Sequence, residues 1–264
     1  LIPRPAIQAA YLLYERLLQR HVSGNLLVSH VAVIQDGNRR FARHQGLPVR
    51  DGHRQGARIT EKISDWCLEL GIKHLTVYAF STENFARQDD EKEYLFDLIS
   101  EKLREMAVSE KTHRNRVRVR AIGRIEMLPE KVQAAIREAE DATLGYDGLY
   151  FNLALAYGGQ CELADAARNL ARLVQTGKIR ADQVEEETIG RYLYPHGDAP
   201  VPKVDLIIRT GGEARTSNFL PWQANGNECA AYFCAPLWPE FRKIDFLRAL
   251  RTSQSRMASK STGL

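Results

Sequence analysis

The chain has 264 residues, 44% of them apolar and 27% charged, with a formal net charge of +4. That length is enough for one α/β core, and the composition is that of a folded globular domain. The small net charge excludes the basic footprint of a nucleic-acid binder, and no apolar run is long enough to span a bilayer.

Pro5 to His21 reads as an amphipathic helix, with Ile7, Ala10, Tyr11, Tyr14, Leu17 and Leu18 on one side. Val31–Ile34 is a strand. His53 to Leu70 is a helix by the spacing of Ile59, Ile63, Trp66, Cys67 and Leu70, and Gly71 is its stop signal. Leu75–Phe80 is a strand, and Asp90 to about His113 one long helix. Val117–Ile122 alternates with arginines and is expected to be a half-exposed strand at a sheet edge. Then come a helix over Pro129–Ala142, a strand over Leu149–Leu155, and helices over Glu162–Val174 and Val184–Tyr194. Leu206–Ile208 and Ala230–Phe233 are strands, and Phe246–Leu250 begins a last helix. Strands alternating with helices predict an α/β fold, with a mostly parallel central sheet flanked by helices in a single domain. Arg43–Arg50, Tyr194–Lys203 and the residues after Thr252 are expected to be the mobile pieces.

The chemistry lies at the ends of the strands. One strand runs into Gln35-Asp36-Gly37-Asn38-Arg39-Arg40, the next into Ser81-Thr82-Glu83-Asn84-Phe85-Ala86-Arg87. A third ends in Tyr157-Gly158-Gly159, and a fourth in Arg209-Thr210-Gly211-Gly212-Glu213-Ala214-Arg215-Thr216-Ser217-Asn218. Parallel sheets bind ligands at the carboxyl ends of their strands. Glycines there let backbone N–H groups approach an anion, and arginine forks match phosphate oxygens. The pattern predicts a phosphate or diphosphate site in which Asp36 is free to hold a divalent metal.

The blocks HVAVIQDGNRRFA, LTVYAFSTENFAR, FNLALAYGG and VDLIIRTGGEARTSNFLPWQ, with the later Glu228, resemble the signature blocks of the cis-prenyltransferases. They stand in order from about His30 to Phe246. The resemblance implies that an allylic diphosphate and isopentenyl diphosphate are condensed into a cis-polyprenyl diphosphate. It implies Mg2+ as cofactor, a homodimer, and an apolar tunnel walled by the helix beginning at Asp90. By matching positions, Asp36 would be the metal acid and Glu228 a second acidic group near the metal. Gly37, Asn38, Arg39, Arg40, Phe41 and His53 would bind the allylic diphosphate, with Arg87 close by. Arg209, Arg215 and Ser217 would grip isopentenyl diphosphate, and Asn84 with Ser81 would serve proton removal.

Each motif also has a plain structural meaning. Asp-Gly is a common turn, His53 could cap a helix, and Gly158-Gly159 is expected to be a helix entry. Trp222 and Trp238 are expected in the core or an interface. Four departures from the common pattern stand out: Val49 in the loop before Arg50, Gln88 after Arg87, Ala214 in the arginine block, and Arg256-Met257-Ala258 in the tail. They keep open a second reading, condensation of two allylic diphosphates. A non-catalytic partner subunit is disfavoured because Asp36, Asn84, Arg209, Arg215 and Glu228 are all kept. An aspartyl-phosphate phosphatase is disfavoured because Asn38 stands where a second acid is needed.

The expected organisation is an N-terminal helical segment over 1–28, a catalytic domain over 29–252 and a tail over 253–264. Ala230–Phe233, Leu237-Trp238-Pro239 and the last helix are expected to supply a two-fold interface. The first helix, with Arg16 and Arg20 on its polar side, is a candidate for weak contact with a membrane surface, although packing on the domain is the simpler reading. Cys67, Cys161, Cys229 and Cys234 form no CxxC pair and nothing resembles a signal peptide, so a cytoplasmic location is expected.

Overall fold

The first strand, β1 (His30–Ile34), is buried at every position. Its β-branched run suits a strand covered on both faces, and its side chains divide between two cores. Val31 and Val33 pack with Leu75, Val77, Leu206 and Ile208 on one face. Ala32 and Ile34 pack with Ile207, Val204, Phe219 and Leu220 on the other. The computed structural model describes residues 4–24, 27–195, 200–224 and 229–261, with side chains for all of these except 4–10 and 257–261.

Among the described residues six strands form one sheet. β2 is His74–Ser81, β3 Val117–Ile122, β4 Leu149–Tyr157, β5 Leu206–Arg209 and β6 Ala230–Phe233. The order is β3-β4-β2-β1-β5-β6, and every pairing is parallel. After β1 the chain builds outward on the β2 side, then returns to lay β5 against the other flank of β1. The carboxyl ends of β1 and β5 are therefore a topological switch point, the place where such sheets open a crevice.

The helices are α1 (Arg4–Gly24), α2 (Asn38–His44), α3 (Val49–Leu70), α4 (Asp89–Val108), α5 (Glu110–Arg114), α6 (Glu130–Ala142), α7 (Gly159–Gln175), α8 (Glu186–Arg191) and α9 (Lys243–Ser261). Gly71 closes α3 with φ of 76°, the left-handed stop its position predicts. Where the expected long helix should run on, the chain breaks at Ser109, whose φ and ψ of −70° and 121° are extended. Its hydroxyl accepts from the Thr112 N–H and starts α5. The helix expected over Val184–Tyr194 is only the short α8. The segment expected to be mobile near Arg43 is the end of α2, a turn, and the start of α3. Tyr194–Lys203 contains residues outside the described ones, and α9 runs without a break past Thr252.

Two expectations about surfaces are corrected. β3 is an edge strand as predicted, but it is not half-exposed: Arg120 is buried, donates to Asn152 Oδ1 at 2.9 Å and lies over the Tyr150 ring. In α1, Tyr14 and Leu17 face solvent, as do Leu12 and Leu13, while Leu18 and Val22 are buried. The helix docks on α9, where Gln254 donates to the Val22 carbonyl at 3.0 Å. Among the described residues no helix is long and apolar enough to cross a membrane.

Candidate active site

Asp36 leaves β1 two residues past its end and clasps two arginines. Arg40, one turn along α2, donates from Nη2 to Oδ1 at 2.9 Å. Arg209, the last residue of β5, donates from Nη2 to Oδ2 at 2.8 Å. Parallel pairing sets Ile34 beside Arg209 and so brings the two strand ends together. Arg209 also donates to the Arg215 carbonyl at 2.8 Å and to Ser217 Oγ. Its buried Nε has no partner among the described residues. A cationic donor left over at a crevice is a natural anion contact.

Glycines make the clasp possible by close approach. Gly37 has φ of 118°, and a Cβ there would lie 2.9 Å from Leu237 Cβ. Gly211 has φ of 84°, and a Cβ there would lie 2.3 Å from Arg40 Nη2. Arg40 also donates to the Gly211 carbonyl at 2.9 Å. The Asp36 carbonyl accepts from Thr210 Oγ1 at 2.7 Å and from the Trp238 N–H at 3.0 Å.

A second cluster faces this one. His53 on α3 meets Glu91 on α4 at 3.0 Å, and Arg87 donates to the same carboxylate at 2.8 Å. Burial pushes the His53 imidazole toward neutrality, with the Glu91 bond pulling partly back. Burial alone would raise Glu91. The bond from His53 and the charges of Arg87 and Arg39 outweigh it and hold the carboxyl below its usual range. Ser81 and Asn84 stand at the end of β2, where the Ser81 N–H donates to Asn84 Oδ1 at 3.1 Å. A register shift between Tyr78 and Phe80 turns Phe80 into the core and leaves Tyr78 and Ala79 on the crevice wall.

Asp36, Asn38, His53, Ser81, Asn84, Arg87, Arg209 and Ser217 line the mouth of one cavity of about 560 Å³. Beyond the mouth its wall becomes apolar, with Leu95, Ile99, Leu103 and Met106 on α4 and Phe151 and Leu153 on β4. Arg40 belongs to the mouth through its bond to Asp36. Besides Arg40, four of the candidate residues stand off the cavity wall, the first being Gly37, which lies against Leu237. Arg39 faces Glu91 at 3.8 Å and is half-exposed, Phe41 is half-buried in α2, and Arg215 is exposed beside Glu213 at 3.1 Å. Glu228 lies outside the described residues. Gly158-Gly159 is a helix entry: the Gly159 and Gln160 N–H groups donate to the carbonyl and side chain of Asn218.

Sequence reasoning does not single out Glu91, although its place one turn after Arg87 is a usable signal. Gln35 and Thr60, bonded to each other on the cavity wall, give none. The arrangement is a cationic anion site opening into a long apolar pocket, as an amphiphile with an anionic head requires.

The family described as putative undecaprenyl diphosphate synthase matches residues 34–260. The chain belongs to that family of prenyltransferases. A tritrans,polycis-undecaprenyl-diphosphate synthase (geranylgeranyl-diphosphate specific) of Halobacterium salinarum is 53% identical over 95% of this chain and 82% of its own length. A protein of the same description from Haloarcula marismortui is 54% identical over 96% of this chain and 81% of its own. Among solved structures, lavandulyl diphosphate synthase from Lavandula x intermedia, in complex with dimethylallyl diphosphate, superposes with a TM-score of 0.79. It is 35% identical over 86% of this chain and 95% of that one. The family assignment makes this chain a prenyl diphosphate synthase, and three of the four strand-end motifs, all but Tyr157-Gly158-Gly159, meet at the cavity mouth.

Proposed function

We propose that this prenyltransferase extends geranylgeranyl diphosphate with isopentenyl diphosphate into a cis-polyprenyl diphosphate. The observation that carries the reaction is the Asp36–Arg40–Arg209 clasp at the mouth of an apolar cavity. The primer is inferred from the high identity to relatives described as geranylgeranyl-diphosphate specific. In each cycle the allylic C–O bond breaks and diphosphate leaves with its electron pair. The double bond of isopentenyl diphosphate attacks the allylic carbon, and a proton departs as the new cis double bond forms. Condensation of two allylic diphosphates is disfavoured, because the relatives of highest identity bear the names of chain-extending synthases.

Gly37, Asn38, Arg40, His53 and Arg87 bind the primer diphosphate in this reading, and fixed donors stabilise the charge that develops on it. Arg209 and Ser217 hold the second diphosphate, with Arg215 joining from the exposed loop. Asn84 and Ser81 hold the route by which the proton leaves. Mg2+ fits the donor set: Asp36 is an oxygen donor set among phosphate-binding arginines, and Mg2+ is commonly held by one or two carboxylates plus substrate phosphates and water. Bound there, the ion would supply Lewis-acid assistance to the departing diphosphate. The catalytic unit is residues 29–252. It works in the cytoplasm as a homodimer, with weak membrane contact through the exposed leucines of α1.

Purified protein is incubated with Mg2+, labelled isopentenyl diphosphate and each allylic primer in turn, and products are sized by mass spectrometry. A ladder of five-carbon steps starting from geranylgeranyl diphosphate is expected. Products without isopentenyl label, built from two allylic units, would overturn the reading.

A further inference from the structure

The apolar cavity has an unusual outer wall. Its floor is sheet and its inner side is the packed face of α4, but the seam between α3 and the α4–α5 pair is closed by polar links. Passing from the mouth inward, His53 meets Glu91 at 3.0 Å, Arg54 meets Tyr94 at 3.3 Å, Lys102 meets Glu61 at 3.0 Å, and Lys111 meets Asp65. The last two pairs lie at the deep end, and all four of their side chains line the cavity. Their partners sit on either side of the Ser109 break, which also lines it.

We propose that Glu61–Lys102 and Asp65–Lys111 form a latch across the deep end of the cavity and set how long a prenyl chain is held before release. This rests on the chain-extension reading above. A seam closed by partly exposed ion pairs parts more readily than one closed by apolar packing, because exposed pairs are weak and screened by salt. The Ser109 break gives α5 a joint at which Lys111 swings away from Asp65 while α4 stays packed on α6. While the latch is closed, the tip of the growing chain meets a wall just past Leu103 and Met106. Once it opens, the tip passes between α3 and α5, and further five-carbon units are added before the product leaves.

The product ladder is measured for the unaltered protein, Asp65→Asn, Lys111→Gln, Lys102→Gln, and the exchanged pair Asp65→Lys with Lys111→Asp. Each single neutralisation is expected to move the main product longer by one or more five-carbon units. The exchanged pair should move it back, and raised salt should lengthen the products of the unaltered protein. In parallel, the release rates of two fluorescent alkyl probes, one of eight carbons and one of sixteen, are followed without any diphosphate. The latch variants should release the longer probe several-fold faster and leave the shorter one unchanged. Unaltered product length and probe release in all single variants would overturn the latch, as would a shift that the exchanged pair fails to reverse. Absence of any five-carbon ladder from the unaltered protein would instead tell against chain extension, and the probe rates alone would then decide the latch.

Discussion

Asp36 holds two guanidinium groups at once, which gives its replacement two separable effects. Arg209 has only 5% of its side chain exposed, so Asp36→Ala leaves a largely buried cation without its carboxylate. That costs about 3 kcal/mol, the lower end for a broken buried pair, because Asp36 itself is partly exposed. The motif alone suggests a chemical role with little effect on the fold; the burial of Arg209 adds the structural one. Asp36→Asn keeps hydrogen-bond acceptance at one oxygen and should melt closer to the parent, yet lose on the order of a thousandfold or more in turnover. Melting temperature and single-turnover rate, measured on both variants, separate the two effects. Gly56 offers a complementary test. A Cβ there would lie 2.3 Å from Asn38 Oδ1 and 3.0 Å from Trp238 Cδ1. Gly56→Ala should therefore swing Asn38 out of the cavity mouth and raise the KM of the primer more than that of isopentenyl diphosphate. Arg209→Ala should do the reverse, and equal shifts for both substrates would contradict the assignment of the two diphosphate sites.

At the scale of elements, the strands were legible because a parallel sheet covered on both faces needs short β-branched runs, and β1, β2 and β5 have them. The strand-end motifs were legible because polar and glycine residues interrupt those runs abruptly. What could not be read depends on contacts distant in sequence. The break at Ser109 falls inside an otherwise helical pattern, and the seam it serves pairs residues tens of positions apart. The arginines of β3 suggested solvent exposure, since nothing local shows that Tyr150 and Asn152 of β4 receive Arg120. That same polar layer has a pH signature. Burial pushes His30 down to about 3 and His74 to about 4, against 6.5 for a free imidazole. The unfolded chain takes up these protons near pH 6.5 while the folded chain resists them, so stability falls as pH drops from about 6.5 toward 4. His74 stacks on Tyr150 with ring centroids 4.7 Å apart, and its buried Nδ1 has no partner among the described residues. His74→Phe should keep the stack and flatten the pH dependence of urea unfolding between pH 6.5 and 5; an unchanged slope would place the acid sensitivity elsewhere.

For the whole molecule, association must use surface the protomer leaves open. Leu237, Trp238, Phe241, Phe246 and Leu247 are buried within the protomer itself, which removes most of the interface expected from the C-terminal sequence. The outer edge of β6 remains, with Phe233, its last residue, 38% exposed. If a second copy docks there, Ala231→Lys should shift sedimentation from dimer to monomer, because charge on an edge strand opposes pairing. Membrane contact is a separate matter. Leu13 and Leu17 are 60% and 53% exposed on α1, so replacing both with Gln should lower co-sedimentation with anionic liposomes, and unchanged binding would tell against contact through α1.

The clasp at the mouth also has a history within each molecule's synthesis. Asp36 emerges from the ribosome well before Arg209, Thr210 and Trp238, which fix its side chain and carbonyl. A nascent chain can lay down β1 through β4 and their helices, but the switch-point edge of β1 stays uncovered until β5 arrives. That bare, apolar strand edge is a docking place for other unfinished chains. The enzyme thus completes its anion site and covers that bare edge in the same step, so truncation before β5 should yield insoluble protein rather than an inactive soluble fragment.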